Sequence, residues 1–324
     1  MSNMNLTGPW PGPEGLIPEP PKNAADANRH TRNYLDSILI EERIIDAIEP
    51  DLHFDLWGKS FASPIMMPAF SHLNKVGENG RTPMEEYAQA AKELQIVNWV
   101  GMEPDDEFAR IAALGAKTGR IIKPFKDKEE IYRQIDKAQE CGAIAVGIDI
   151  DHVFGKDGKY DIVDGIELGS VTCEDLKNYV NYSKVPFVAK GVLSVTDAIK
   201  CKEAGVDAIF ISHHHGRMPF AIQPLALLPQ IKKALAGTGM MIFVDCHIDD
   251  GYDAYKALAL GADAVSVGRG ILPGLLKEGT EGVMKKVNKM NEQLRELMGY
   301  TNVHNVNEFD PSVLYVYGHQ LEKE

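Results

Sequence analysis

The segment Ala204-Gly205-Val206-Asp207-Ala208-Ile209-Phe210-Ile211-Ser212-His213-His214-His215-Gly216-Arg217 holds a unit of fold and its chemistry together. Gly205 is placed to stop a helix in the left-handed conformation that glycine adopts without steric cost. The apolar run that follows is what a strand buried on both faces needs. Polarity then arrives at once, as a hydroxyl, three imidazoles, a glycine and a guanidinium. A barrel of parallel strands gathers its chemistry at the C-terminal strand ends. An imidazole there can move protons near neutral pH. A guanidinium three residues after His214 can grip a carboxylate with two hydrogen bonds.

The same grammar recurs in Cys141-Gly142-Ala143-Ile144-Ala145-Val146 and in Leu260-Gly261-Ala262-Asp263-Ala264-Val265. The pattern predicts eight strands, near 65–69, 96–100, 118–122, 144–150, 186–190, 207–212, 241–245 and 263–267. Helical periodicity lies between them near 84–94, 105–114, 128–141, 173–181, 195–204, 224–235 and 251–260, with a long helix near 279–298. Thr172 with Asp175, and Ser194 with Asp197, read as helix-start capping pairs. Alternating strands and helices imply a parallel sheet, and eight units imply a closed α/β TIM (β/α)8 barrel over 61–300. An open doubly wound sheet would want a glycine-rich turn after its first strand. Pro68-Ala69-Phe70-Ser71-His72 is not one.

Residues 1–60 form an N-terminal helical and extended arm in this reading, and 301–324 a C-terminal extension. Prolines 9, 11, 13, 18, 20 and 21 make the first 25 or so residues extended, because proline fixes φ and removes a donor. Residues 28–48 read as one or two helices, and 51–61 as a short strand or hairpin. A formal net charge of −13 argues against nucleic acid as a partner. No apolar run reaches the roughly 18 residues of a membrane span, and no signal peptide is visible. The four cysteines form no CxxC pair, which suits a reducing, cytoplasmic setting.

On a barrel, the residues just after each strand share one rim. They are Ser71 and His72, Lys123, Asp149, Asp151 and His152, Lys190 and Gly191, Ser212 to Arg217, Asp245 to His247, and Gly268 with Arg269. The loops after the seventh and eighth strands often hold phosphate in this fold. Gly268 permits close backbone approach, and Arg269 brings a charged planar fork. The three adjacent imidazoles invite a metal, but strand neighbours face opposite ways, so no metal site is expected. Bland readings stand beside the sharp ones: Lys190 as a snorkelling rim lysine, Lys123 in a structural ion pair, and Arg269 paired with a carboxylate. Cys246 reads as a small buried residue, and Asp249-Asp250 as a helix N-terminal charge pair.

Four segments resemble the FMN-dependent 2-hydroxy-acid oxidases and dehydrogenases, the family of glycolate oxidase and lactate oxidase. They are Val188-Ala189-Lys190-Gly191-Val192-Leu193, Ser212-His213-His214-His215-Gly216-Arg217, Lys256-Ala257-Leu258-Ala259-Leu260-Gly261-Ala262, and Gly268-Arg269. The likeness is dense over about 185–275 and in register from about 60 to 152. It implies FMN as cofactor and oxidation of a small carboxylate at its α-carbon. It also implies His214 as base, Asp151 as the carboxylate that orients it, and Arg217 on the substrate carboxylate. Lys190 would face the flavin where negative charge develops. Asp245 would bind the ribityl chain, Gly268 and Arg269 the phosphate, and Pro68, Ala69 and Phe70 the ring's edge. Lys123 and Ser212 join the cofactor set. The electron acceptor stays open between dioxygen, a quinone and a protein, and family barrels assemble as homo-oligomers.

The chain also departs from the family. A third-strand Gln-x-Tyr is here Lys123-Pro124-Phe125, and a fourth-strand threonine is Asp149. An N-terminal tyrosine has no match. Asp-Gly-Gly-x-Arg after the seventh strand is here Asp245-Cys246-His247-Ile248-Asp249, which removes two glycines and an arginine and adds charge that would oppose a phosphate. The loop at about 151–171 carries four glycines and reads as a mobile lid. Two rivals follow: a diverged flavoprotein with a different substrate, and a non-catalytic barrel that binds an anionic metabolite.

Overall fold

The computed structural model describes residues 24–71, 73, 80–317 and 319–321. The expected proline-rich extended segment falls almost wholly outside these residues, as does His72. Helix α1 (Ala27–Ser37) starts on an Asp26 cap and runs into strand β1 (Ile38–Ile40). A tight hairpin follows, β2 (Phe54–Leu56) and β3 (Lys59–Phe61). The barrel units then come in order: β4 (Ile65–Met66), α2 (Pro83–Glu93), β5 (Asn98–Val100), α3 (Asp105–Ala113), β6 (Thr118–Ile122), α4 (Lys128–Glu140) and β7 (Ala145–Asp149). A small hairpin, β8 (Ile162–Val163) and β9 (Ile166–Glu167), precedes α5 (Cys173–Tyr182), β10 (Phe187–Val192), α6 (Val195–Ala204), β11 (Ala208–Ile211) and α7 (Pro224–Ala234). The chain ends its circuit with β12 (Met241–Val244), α8 (Gly251–Ala259), β13 (Ala264–Ser266), α9 (Leu272–Glu278) and α10 (Thr280–Tyr300).

Eight parallel strands pair in sequence from β4 through β13 and back to β5. Closure is made by Met67 N–H donating to Val97 O at 2.9 Å and by the Phe70–Val100 bridge. All eight expected strands and their helices are therefore present, as a TIM barrel. The local signals are physical as well: Thr172 and Asp175 form a reciprocal capping box, and Ser194 accepts from Asp197 N–H. Gly205 ends α6 at φ +82°.

The barrel's interior is filled from below. Phe54, Leu56 and Phe61 of the β2–β3 hairpin close one end over Trp99, Phe210 and Phe243, all buried. Trp99 and Phe210 meet edge to face at 5.3 Å, Phe210 and Phe243 at 5.1 Å. The larger core lies between the strands and the surrounding helices.

The 28–48 segment differs from the helical expectation after Ser37. Ile38–Ile40 pairs antiparallel with strand β14 (Leu314–Val316), and Glu41 and Arg43 N–H groups donate to Val313 and Tyr300 carbonyls. The long-range ladder satisfies the backbone there, so Ile44 and Ile45 stand exposed instead of forming a buried helical stripe. The arm and the C-terminal segment thus meet in one small sheet.

Candidate active site

The mouth of the barrel opens at the strand ends, where apolar sequence gives way to charge. Asp149 closes β7 and is buried between two ammonium groups, with Lys123 Nζ at 2.5 Å and Lys190 Nζ at 3.5 Å. Lys190 also reaches Asp245 at 3.4 Å. Burial alone would raise the Asp149 carboxyl pKa; Lys123, Lys190 and His214 outweigh it and hold the group well below its ordinary range. Burial would lower Lys190, but Asp245, Asp149 and Asp151 hold it firmly charged.

A bulge between β10 and β11 falls at Lys190–Val192. Gly191 adopts φ +92° there, and a Cβ on it would lie 2.3 Å from Asp151 Cγ. Glycine therefore makes room for the Asp151 carboxylate against the strand. That carboxylate is 2.9 Å from His214 Nδ1. Burial would raise the Asp151 pKa, and His214 overcomes this to lower it.

The three imidazoles diverge. Gly216 N–H donates to His213 Nδ1 at 2.9 Å, which leaves His213 Nε2–H to donate to Thr31 Oγ1 at 2.8 Å. His213 thus ties α1 to the sixth strand, and burial pushes its pKa down to about 4. His214 turns to Asp151. His215 stands in the field of Arg269, with burial lowering it to about 3. Three side chains do bring metal-type ligand atoms within 4.8 Å of one another, namely Asp149, Asp151 and His214. Asp149 in that group is already clamped by the two lysines.

Ser212 Oγ accepts from His214 N–H at 3.0 Å, and Cys246 Sγ donates to Asp245 at 2.9 Å. Burial and the adjacent Asp245 push the Cys246 thiol well above its usual range, so it is an inert packing group. Pro68 is buried, and Ala69 and Phe70 are half-buried at the first strand's end. Arg217 Nη1 donates to Phe154 O at 3.1 Å and lies 3.6 Å from Asp161 Oδ2.

The 151–171 loop, expected as a mobile lid, is a hydrogen-bonded structure. Its β8–β9 turn places Asp164 at φ +52° and Gly165 at +80°, and Gly169 N–H and Lys126 N–H anchor it to the third-strand loop. The Asp-Gly pair is the sequence signal for that hairpin. Sequence reasoning gave no role to two residues that the loop brings in: His152, buried after β7, and Asp161, which bonds His152 Nε2 at 2.9 Å.

The expected conflict at the phosphate site is softened. Asp250 caps α8 by accepting from Asp253 N–H, while Asp249 lies 3.4 Å from His247 Nδ1 and 4.0 Å from Arg32. The residues present fit a phosphate-ended flavin. A Cβ built on Gly268 would meet nothing within 4 Å, so the backbone lies open to a ligand. Arg269 is half-buried and its side chain has no hydrogen bond or ion pair among the described residues; burial lowers its pKa. A desolvated cation of this kind is completed by an anion.

The lost glycines leave a mark. Cys246 (φ +71°) and His247 (+58°), which stand for the two glycines, hold the left-handed conformation that glycine takes freely, and so do His214 (+47°) and His215 (+58°). Non-glycine residues in that region cost roughly 1–2 kcal/mol each. Strain of this kind collects at functional sites.

Proton-transfer and anion-binding groups converging on one barrel mouth define a cofactor-dependent oxidoreductase barrel. The chain belongs to the FMN-dependent dehydrogenase family, whose pattern matches residues 22–170 and 156–316. Among its relatives, the 2-hydroxyacid oxidase of Dictyostelium discoideum is 24% identical over 309 residues, covering 86% of this chain and 79% of that one. The L-lactate oxidase of Roseobacter sp. (strain GAI101) is 25% identical over 291 residues, covering 79% and 78%. The solved structure of mandelate oxidase superposes with a TM-score of 0.80 at 22% identity over 90% of each chain, which speaks for the fold. No helix among the described residues is long and apolar enough to cross a membrane.

Proposed function

We propose that this protein oxidises a small 2-hydroxy acid at the α-carbon, with His214 as base, Asp151 as its partner and Arg217 on the substrate carboxylate. The observation that carries this reading is the 2.9 Å contact between Asp151 Oδ1 and His214 Nδ1. An ionised carboxylate only accepts, so Nδ1 holds the hydrogen and the lone pair lies on Nε2, ready for a substrate proton. Once Nε2 takes that proton, Asp151 stabilises the imidazolium. FMN, when bound, supplies the two-electron acceptor. Lys190 would counter negative charge on the ring, with Lys123 behind it through Asp149. Ser212 and Asp245 would hold the cofactor's chain, Gly268 and Arg269 its phosphate, and Pro68, Ala69 and Phe70 the ring's edge. Asp161 stands 3.6 Å from Arg217, beyond a hydrogen bond, so the guanidinium can take the substrate carboxylate while Asp161 stays bonded to His152.

A second reading keeps the flavin and changes the substrate. Phe125, fully buried, and Lys123, committed to Asp149, favour it because both replace family residues at the mouth. The test is the spectrum of the purified protein followed by anaerobic addition of lactate, glycolate and mandelate. A flavin band near about 450 nm that one of them bleaches supports the first reading. A bound flavin that all three leave oxidised, but another carboxylate bleaches, selects the second. A protein that takes up no FMN removes both. A cytoplasmic setting is part of the proposal, supported by four free cysteines. So is a homo-oligomer, supported by exposed Leu39, Ile44, Ile45, Ile48 and Tyr300 and tested by light scattering.

A further inference from the structure

We propose that His152 sets substrate specificity: its Nδ1 accepts a hydrogen bond from the substrate's side chain, so the preferred substrate is a 2-hydroxy acid carrying a hydroxyl or N–H next to its α-carbon. The inference rests on the hydroxy-acid reading above and names the substrate class of that same site.

The tautomer follows from the neighbours. His152 Nε2 lies 2.9 Å from Asp161 Oδ2, and a carboxylate can only accept, so the hydrogen is on Nε2. The side chain is 2% exposed. Burial, then the charges of Lys123 and Arg217, press its pKa down to about 4, so the ring is neutral at pH 7. A neutral ring with its hydrogen on Nε2 has a lone pair on Nδ1. That atom is buried and has no hydrogen-bond partner. An unsatisfied buried acceptor is costly, and native proteins leave few of them.

The ring's place makes a ligand the natural donor. It meets His214 edge to face, with centroids 5.6 Å apart. Through Asp161 it is tied to Arg217. His152 therefore stands next to the proposed base and is linked through Asp161 to the proposed anion grip. Of the charged groups around it, Asp161 takes Nε2–H, while Lys123 and Arg217 make no hydrogen bond to Nδ1. A methyl or phenyl side chain would bury Nδ1 without a donor. A hydroxyl or N–H carried on the β-carbon would satisfy it. Sites built to hydrogen-bond a substrate group reject the analogue that lacks it far more strongly than apolar pockets sort by size.

The test uses the FMN-loaded protein and two pairs of acids that differ by one hydroxyl: L-lactate against L-glycerate for flavin reduction, and pyruvate against hydroxypyruvate for binding, read from perturbation of the flavin spectrum. The wild type is expected to favour the hydroxylated member by about tenfold or more in kcat/KM and in Kd. His152→Leu, close in volume and without an acceptor, should bring both ratios to near one; His152→Gln, which keeps an acceptor, should restore part of the preference. Equal handling of both pairs by the wild type, or a preference that survives His152→Leu, overturns the assignment and leaves the hydroxy-acid reading standing. Failure of all four acids to bind or react overturns this inference, and the hydroxy-acid reading falls with it only if glycolate and mandelate fail as well.

Discussion

The two ends of this barrel are built from the same strands under opposite rules. Phe210 of β11 and Phe243 of β12 sit at the end closed by the Phe54–Phe61 hairpin, where aromatic edges meet faces and even Trp99 Nε1 finds Met66 Sδ at 3.4 Å. A few residues along the same strands, Ser212 to Arg217 and Asp245 to His247 reach the mouth. There, Asp151 Oδ2 and His152 Nδ1 are buried without a hydrogen-bond partner, and Asp149 Oδ1 has only its 3.5 Å ion pair with Lys190. Four non-glycine residues there also hold left-handed backbone, at 214, 215, 246 and 247. One end is optimised for packing. The other gathers unmet hydrogen bonds and left-handed backbone of the kind that collects at functional sites, whereas the closed end shows Trp57 at φ +49° in its hairpin turn and Asn98 Oδ1 unpartnered at the start of β5.

The sharpest way to break this contrast is to damage each end alone. His214→Asn should lower the rate of flavin reduction by roughly 10³-fold, within the range a positioned base contributes, while flavin content and unfolding midpoint stay near wild type. A slow variant that has also lost its fold would blur the two ends into one. Phe243→Ala should do the reverse. It should cost about 3–5 kcal/mol in urea unfolding, while the folded fraction still reduces its flavin.

Acid should find the mouth first. His152 and His213 are held neutral, at about 4 each, against about 6.5 in an unfolded chain. The unfolded state then binds more protons, so their contribution is complete above about pH 6.5 and is lost as pH falls toward 4. Each should add a slope of up to about 1.4 kcal/mol per pH unit in that window. Urea midpoints at pH 7, 6 and 5 would show it, and a flat profile would mean the imidazoles are already solvated. The smallest effect concerns strain. Cys246→Gly should stabilise the fold by about 1 kcal/mol, since glycine enters φ +71° freely and the small thiol contributes little packing. A loss of stability would show that the thiol's contacts with Ser212 and Asp245 outweigh the strain relieved.

Legibility followed the range of the interactions. The Gly205 and Gly261 helix stops, the Thr172 and Ser194 caps and the apolar runs are local, and each is repeated, so the eight-unit barrel could be read directly. His214, Asp151, Lys190 and Arg269 were legible because strand ends share one rim whatever lies between them. The second helix expected within 28–48 was not, because the pairing of Ile38–Ile40 with Leu314–Val316 is chosen some 275 residues away, a separation set by the register Ile40 to Leu314. The internal hairpin of the 151–171 loop was not legible for a similar reason. Its glycines suggested freedom, whereas Asp164-Gly165 is a hairpin turn held by bonds to the third-strand loop.

The chain alone determined the number of strands, the layer order and which side chains end at the mouth, since these depend on periodicity and on chain punctuation. Only the folded barrel decided the pairings: Lys123 with Asp149, His213 with Thr31 of the first helix, and His152 with Asp161. The first two join residues from different elements and the third spans the turn of one loop; no local preference encodes which of several charged neighbours will be nearest once water has been driven from between them.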